Sequence, residues 1–89
     1  MVHKYLAEFL GTLFFVYIIL ATGNAIAIGA ALAIAIMVAG TISGGHINPA
    51  VSIAMVAAGK MSSSDLLPYI LAQIAGGMVA LELFKRVKL

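Results

Sequence analysis

Apolar side chains fill long stretches of this chain, and clusters of polar and turn-forming residues interrupt them at three places. The first apolar stretch runs from about Tyr5 to Ala21 and ends at Thr22, Gly23 and Asn24, a polar break with turn chemistry. The second runs from about Ala25 to Ile42. It stops at Ser43-Gly44-Gly45-His46-Ile47-Asn48-Pro49, where two glycines, a histidine, an asparagine and a proline rule out the middle of a helix. Pro49 opens a shorter apolar stretch that ends near Ala58, with Gly59 as its C-cap. Lys60 to Ser64 reads as a polar turn, after which Ser64 or Asp65 caps a last stretch from about Leu66 to Phe84. Pro68 falls in the first turn of that stretch, where proline is tolerated.

A membrane-spanning helix takes about 20 mostly apolar residues, so three of these stretches can span and the one of about 10 cannot. The pattern predicts an all-α membrane protein with three transmembrane helices plus one re-entrant half-helix, the loop and half-helix covering about 43–58. No linker or low-complexity tract divides residues 1–89, which predicts a single domain. Periodicity adds little, because helices in lipid are apolar all round.

Composition excludes most other classes. Charged residues make up 9% of the 89 residues and apolar ones 64%, with a mean hydropathy of +1.19. A soluble domain is about a quarter charged, so this chain lacks the polar groups to cover a globular surface in water. The same numbers exclude disorder. A net charge of +2 offers no basic face for nucleic acid. With no cysteine there is no disulfide framework or zinc-thiolate site, and two histidines make no metal cluster. His3 and Lys4 ahead of an apolar run have the look of a signal peptide, but Glu8 inside the run and Asn24 after it argue against one.

The few polar residues inside the spans carry the chemistry. Glu8 is a carboxylate near hydrocarbon, costly unless paired or close to the headgroups. The irregular Gly44–Asn48 segment has backbone groups that need partners at membrane depth, so Glu8 is expected either to snorkel or stay protonated near the headgroups or, in the sharper reading, to accept those N–H groups and brace the loop. Gln73 is expected to make an interhelical hydrogen bond and share that bracing, in preference to the alternative of a solute contact. Glu82 should pair with Lys85 or Arg86 at helical spacing. Gly29 with Ala33, Gly40 with Gly44, and Ala72 with Gly76 offer small-residue spacing for close helix packing.

Asn48-Pro49-Ala50 is a loop-to-helix start. Pro49 at the first helical position fixes φ and removes one orphan N–H. The half-helix turns a positive dipole end of roughly 0.5 of an elementary charge toward the bilayer middle. Asn48 can cap that end with its side-chain carbonyl and keep its amide NH2 free to donate. The carbonyls of Gly44, Gly45, His46 and Ile47 can form a ladder of acceptors. A path of this kind suits a small neutral hydroxylic solute and discourages cations and protons.

The segments Ala7-Glu8-Phe9-Leu10-Gly11-Thr12, Ser43-Gly44-Gly45-His46-Ile47-Asn48-Pro49-Ala50-Val51-Ser52 and Tyr69-Ile70-Leu71-Ala72-Gln73 resemble, in this order and spacing, the aquaporin and glycerol-facilitator family, the major intrinsic proteins. The resemblance covers nearly the whole chain and matches the N-terminal half of a family member, which contains two such halves in inverted topology. It implies half of an aquaporin-like fold. Asn48, Pro49 and Ala50 would be the first of two motifs meeting at the pore centre, and Glu8 the buried carboxylate that braces the loop. Gly44 through Ile47 would supply pore-lining carbonyls, and Ile28, followed by Gly29, would stand at a filter position with Val51 after the motif. The sequence departs from the family in having no second half and no filter arginine, a short link between its first two spans, and an aliphatic Ile28 where water-specific members carry a ring.

The implied function is passive permeation of water or small neutral solutes such as glycerol, without catalysis or cofactor. One half-helix closes no pore, so a second half must come from another protein or from an inverted copy of this chain, giving a homo-oligomer embedded in membrane lipid. Lys4 and Lys60 flank one membrane face and Lys85, Arg86 and Lys88 the other, which leaves almost no topological bias and favours dual insertion. The main alternative is a non-conducting structural membrane protein that retains the half-channel fold. Glu8 gives slight support to a proton-coupled transporter. Ser43, His46 and Ser52 lack a carboxylate placed to complete a catalytic triad, and His46 reads as a loop-bracing donor.

Overall fold

The computed structural model describes residues 2–87. They form α1 over Val2–Thr22, α2 over Ala25–Ser43, α3 over Pro49–Ala57 and α4 over Leu66–Arg86, with a 3-10 turn at Ser63–Asp65 leading into α4. Among the described residues there is no strand. Helices α1, α2 and the turn-plus-α4 segment are long and apolar enough to cross a membrane. At 9 residues, α3 is about 13 Å long and is not. The expected order of span, span, half-helix, span is the observed one.

The ends of the elements depart from expectation for identifiable reasons. Helix α1 starts at Val2 rather than Tyr5, and its first turn is fastened to α4: Lys4 Nζ lies 2.7 Å from Asp65 Oδ2, and the Tyr5 hydroxyl donates to Asp65 Oδ1 at 2.6 Å. Asp65 therefore does not cap α4, and it makes no side-chain cap bond. Ser62, not Ser64, supplies the cap of the preceding turn, accepting from Ser64 N. Helix α4 continues past Phe84 to Arg86, where Lys85 and Arg86 pair with Glu82 one turn back and the Tyr17 hydroxyl donates to the Val87 carbonyl. These exposed pairs add little stability. Lys88 lies outside the described residues. Ala58 holds the C-cap of α3 and Gly59 follows it at φ 73°. Gly59 N–H then reaches Val56 O, and Lys60 N–H reaches Met55 O, the paired bonds of a Schellman ending.

Side-chain contacts fix how the helices run. Tyr5 meets Tyr69 near the start of α1 and α4, Glu8 meets Gln73 further along, and Tyr17 meets Phe84 near their ends, so α1 and α4 are parallel. Glu8 meets Ser43, and Gly11 lies against Ala35 and Ala39, so α2 is antiparallel to α1. The buried stripe of α2 is Ala31, Ala35, Ala39 and Ser43, spaced by one turn. Small residues there let the backbones approach, which drives packing in lipid. On α4 the buried stripe is Tyr69, Gln73, Gly76 and Ala80. Gly76 sits on the backbone of α1: a Cβ there would lie 2.5 Å from Phe9 O and 3.1 Å from Leu13 N. The expected Gly29 and Ala33 pair lies at no interface within this chain, since a Cβ on Gly29 would meet nothing within 4 Å and Ala33 is exposed.

After Ser43 the chain doubles back. Gly44 ends α2 in the left-handed region at φ 93°, and Gly45 follows at φ 64°. A Cβ on Gly45 would stand 3.1 Å from Ile36 Cα, so the loop retraces the backbone of α2. Only glycine meets both demands at once. Ser43 sits level with Glu8, whereas Ile47 reaches Gly11 and Thr12, a turn deeper. Ser52 in α3 is level with Gln73 and so with Glu8 again. Helix α3 therefore begins about halfway along α1 and runs back toward the end it shares with Asp65, the geometry of a re-entrant half-helix.

Candidate functional site

The turn between α2 and α3 gathers most of the buried polar groups. Glu8 is fully buried and accepts four hydrogen bonds. Its Oε1 takes the Ile47 N–H at 2.8 Å and Gln73 Nε2 at 2.9 Å. Its Oε2 takes the Ser43 hydroxyl at 2.6 Å and the His46 N–H at 3.0 Å. A carboxylate is the side chain that accepts on both oxygens and donates nothing, so it can satisfy four donors at once. Two of these donors are backbone groups of an irregular segment that has no helical partner at this depth.

This arrangement sets the direction of the carbonyls. A trans peptide puts its C=O on the opposite edge from its N–H. The N–H groups of His46 and Ile47 point at Glu8, and that of Gly45 points at Ser43 Oγ at 3.2 Å. The carbonyls sharing those three planes belong to Gly44, Gly45 and His46: those of Gly45 and His46 face away from Glu8, and that of Gly44 faces away from Ser43 Oγ. Among the described residues no hydrogen bond reaches them. The neighbouring carbonyls are engaged: Ser43 O accepts from the Tyr69 hydroxyl at 2.7 Å, and Ile47 O from Thr12 Oγ1 at 3.4 Å.

Ile47 pays a conformational cost for this. It holds φ 62°, a region costing a β-branched residue about 1–3 kcal/mol. Its N–H bond to Glu8 and its buried side chain, seated on Ala35, Ala39 and Gly11, hold it there.

Asn48 is the N-cap of α3. Its Oδ1 accepts the Ala50 N–H at 2.8 Å, and Pro49 stands in the first turn. The Asn48 side chain is exposed, and its amide nitrogen makes no hydrogen bond among the described residues. Val51 is exposed on the next turn position of α3. Ile28 is not part of this cluster: it lies half-buried in the first turn of α2, at the opposite end of that helix from Ser43.

His46, Ser52 and Gln73 form a second layer. Gln73 Nε2 divides its two hydrogens between Glu8 Oε1 and Ser52 Oγ, each at 2.9 Å. Ser52 Oγ thus accepts from Gln73 and shares a hydrogen bond of 2.8 Å with His46 Nδ1. The imidazole also packs against the Tyr69 ring with centroids 5.1 Å apart. A carboxylate does stand close to Ser43, His46 and Ser52, but it meets the backbone of His46 and not its ring, so no Ser-His-carboxylate relay forms. Thr12, Ser43, Ser52 and Tyr69 all touch the loop without having been singled out for it by sequence. The available signal is their spacing: Thr12 is one turn from Glu8, and Tyr69 one turn from Gln73, inside apolar spans.

Comparison with known proteins agrees with this geometry. The family model described as Major intrinsic protein matches residues 19–88. A glycerol uptake facilitator protein-like 6 of Lactiplantibacillus plantarum is 46% identical over 86 residues, covering 86% of this chain and 40% of that protein. Aquaporin Z of Brucella melitensis is 38% identical, covering 90% of this chain and 42% of that protein. Aquaporin-8 of Rattus norvegicus is 43% identical over 61 residues, covering 68% of this chain and 23% of that protein. The chain thus spans less than half the length of these relatives. No solved structure matches it. With its three membrane-crossing helices and this family match, the chain is an integral, multi-pass membrane protein belonging to the major intrinsic protein family, whose members are channels rather than enzymes.

Proposed function

We propose that residues 1–89 form a single half-channel domain for passive permeation of water and small neutral solutes such as glycerol. The observation that carries this reading is the start of α3. A half-helix N-terminus lies halfway along α1, capped by Asn48 with its amide nitrogen unengaged, beside three carbonyls turned away from Glu8 and Ser43 Oγ. A donor at a positive dipole end, next to a row of acceptors, matches a hydroxylic solute and repels cations. The names of the relatives, a glycerol uptake facilitator and aquaporins, favour the same solute class.

In this reading Asn48, Pro49 and Ala50 are the pore motif, the carbonyls of Gly44, Gly45 and His46 line the path, and Ile28 and Val51 stand at filter-like positions; the Ile47 carbonyl, expected to line the path as well, is taken by the Thr12 hydroxyl. Glu8 and Gln73 brace the loop. A second half, entering from the other leaflet, completes the pore, either as an inverted copy or as another half. Two lysines at one end, Lys4 and Lys60, against Lys85, Arg86 and Lys88 at the other support insertion in both directions. Fusion of a C-terminal reporter is expected to give signal on both sides of the membrane, and signal on one side alone rejects the dual-topology form.

Conduction is tested by shrinkage and reswelling of proteoliposomes in glycerol, compared with an impermeant osmolyte. Reswelling should be faster than in empty liposomes. Equal rates, with folded protein confirmed, reject the channel reading in favour of a non-conducting structural membrane protein.

A further inference from the structure

Two hydroxyls stand at the two ends of the acceptor row. Tyr69 donates to the Ser43 carbonyl and Thr12 to the Ile47 carbonyl. Both side chains are buried, and neither hydroxyl makes another hydrogen bond among the described residues. A threonine in a helix commonly bonds the carbonyl one turn back, as Thr22 does to Ile18 O. Thr12 instead turns its hydroxyl to the loop. Tyr69 is locked from both sides, edge-on to Tyr5 and tilted against His46.

We infer that Tyr69 and Thr12 are specificity-determining positioning residues, which delimit the acceptor row to the carbonyls of Gly44, Gly45 and His46. The inference rests on the channel reading above. Peptide planes are rigid, so the loop bends only at its φ and ψ angles. Gly44 and Gly45 leave those angles nearly unrestricted. Glu8 and Ser43 hold the N–H edges of the three central planes. The two hydroxyls occupy the carbonyls on either side, keeping these out of the row and fixing its ends. A solute then meets three unoccupied acceptors rather than five. Glycerol carries three hydroxyls where water is a single small molecule, so the number of acceptors bears on the one solute more than on the other.

Tyr69→Phe and Thr12→Val remove each hydroxyl while keeping the shape of the side chain. Each frees one carbonyl, and the ratio of glycerol to water permeability in proteoliposomes is expected to change about threefold or more, the effect of one net hydrogen bond. Thr12→Ser keeps the hydroxyl and should restore the wild-type ratio. A simple loss of folded protein lowers both permeabilities together and leaves the ratio unmoved. Ser43-Gly44 is the only Ser-Gly step in the chain and Ile47-Asn48 the only Ile-Asn step. Carbonyl-13C serine with 15N glycine, or carbonyl-13C isoleucine with 15N asparagine, therefore isolates each carbonyl by solid-state NMR in bilayers. Tyr69→Phe should shift the Ser43 resonance and Thr12→Val the Ile47 resonance. A conducting wild type whose ratio is unchanged in both variants overturns the inference and leaves the channel reading standing. Unmoved carbonyl resonances overturn the inference whether or not the wild type conducts. A folded wild type with no flux above empty liposomes overturns the channel reading itself, and the selectivity role with it.

Discussion

Glu8→Gln will loosen the α2–α3 turn before any other part of the molecule. The substitution replaces one acceptor oxygen with an NH2 group that faces donors. If that group takes the Oε2 side, the Ser43 hydroxyl can rotate toward the Ala39 carbonyl, 3.2 Å away, and accept in turn. The His46 N–H cannot rotate and loses its partner. If it takes the Oε1 side, the Ile47 N–H is left unpaired and Gln73 must move. Either way a buried N–H goes unsatisfied, at a cost of about 1–3 kcal/mol. Glu8→Ala strands the His46 and Ile47 N–H groups and one hydrogen of Gln73 Nε2, and should reach the roughly 4–5 kcal/mol at which single substitutions become exceptional. The release of Ile47 adds to this, because its φ of 62° is held in part by that bond. Denaturant unfolding in mixed micelles measures the total. Amide exchange at His46 and Ile47 should quicken first, and unchanged protection of both in the Gln variant would show that Glu8 does not brace the loop.

Gly76→Ala is expected to force α4 away from α1. Its new Cβ would stand 2.5 Å from Phe9 O, a backbone atom that cannot turn aside, and 3.2 Å from Thr12 Cβ. Overpacking of this kind costs about 1–3 kcal/mol. Gln73 is one turn away on the same face, and its 2.9 Å bond to Glu8 lengthens as the helices part. One methyl group at the helix crossing thus reaches the loop through Gln73. Gly77→Ala is the matched control, since its Cβ would make only an ordinary 3.8 Å contact with Val16 Cγ2. A Gly76→Ala protein as stable as the Gly77→Ala protein would mean that the crossing has slack.

The site was partly legible in the sequence. Asn48-Pro49 read as a helix start because proline and a capping asparagine act on their own neighbours, and the cap bond to Ala50 spans two residues. Glu8 read as a brace because a lone carboxylate and an irregular loop in one membrane each lack partners. Asp65 departs from its local reading for the opposite reason. An aspartate ahead of a helix is expected to cap it, but Lys4 and Tyr5, about sixty residues earlier, claim its carboxylate. Gly29-Ala33 and Ala72-Gly76 look alike in spacing, yet only Gly76 meets another backbone. Which face of a helix turns toward a neighbour is hard to read when every face is apolar.

The sequence by itself determined the medium, the three spanning helices, the half-helix too short to span, and the residue that caps it. These follow from apolar length, charge scarcity and turn chemistry, which are local properties of the chain. Only the tertiary structure decided which donors converge on Glu8, from partners 35 to 65 residues away. It also decided that the Gly45 and His46 carbonyls turn away from Glu8. The reason is that a peptide plane in a glycine-rich loop has no preferred facing of its own. Its direction comes from whatever its N–H meets, and for the His46 and Ile47 N–H groups that partner, Glu8, stands on another helix.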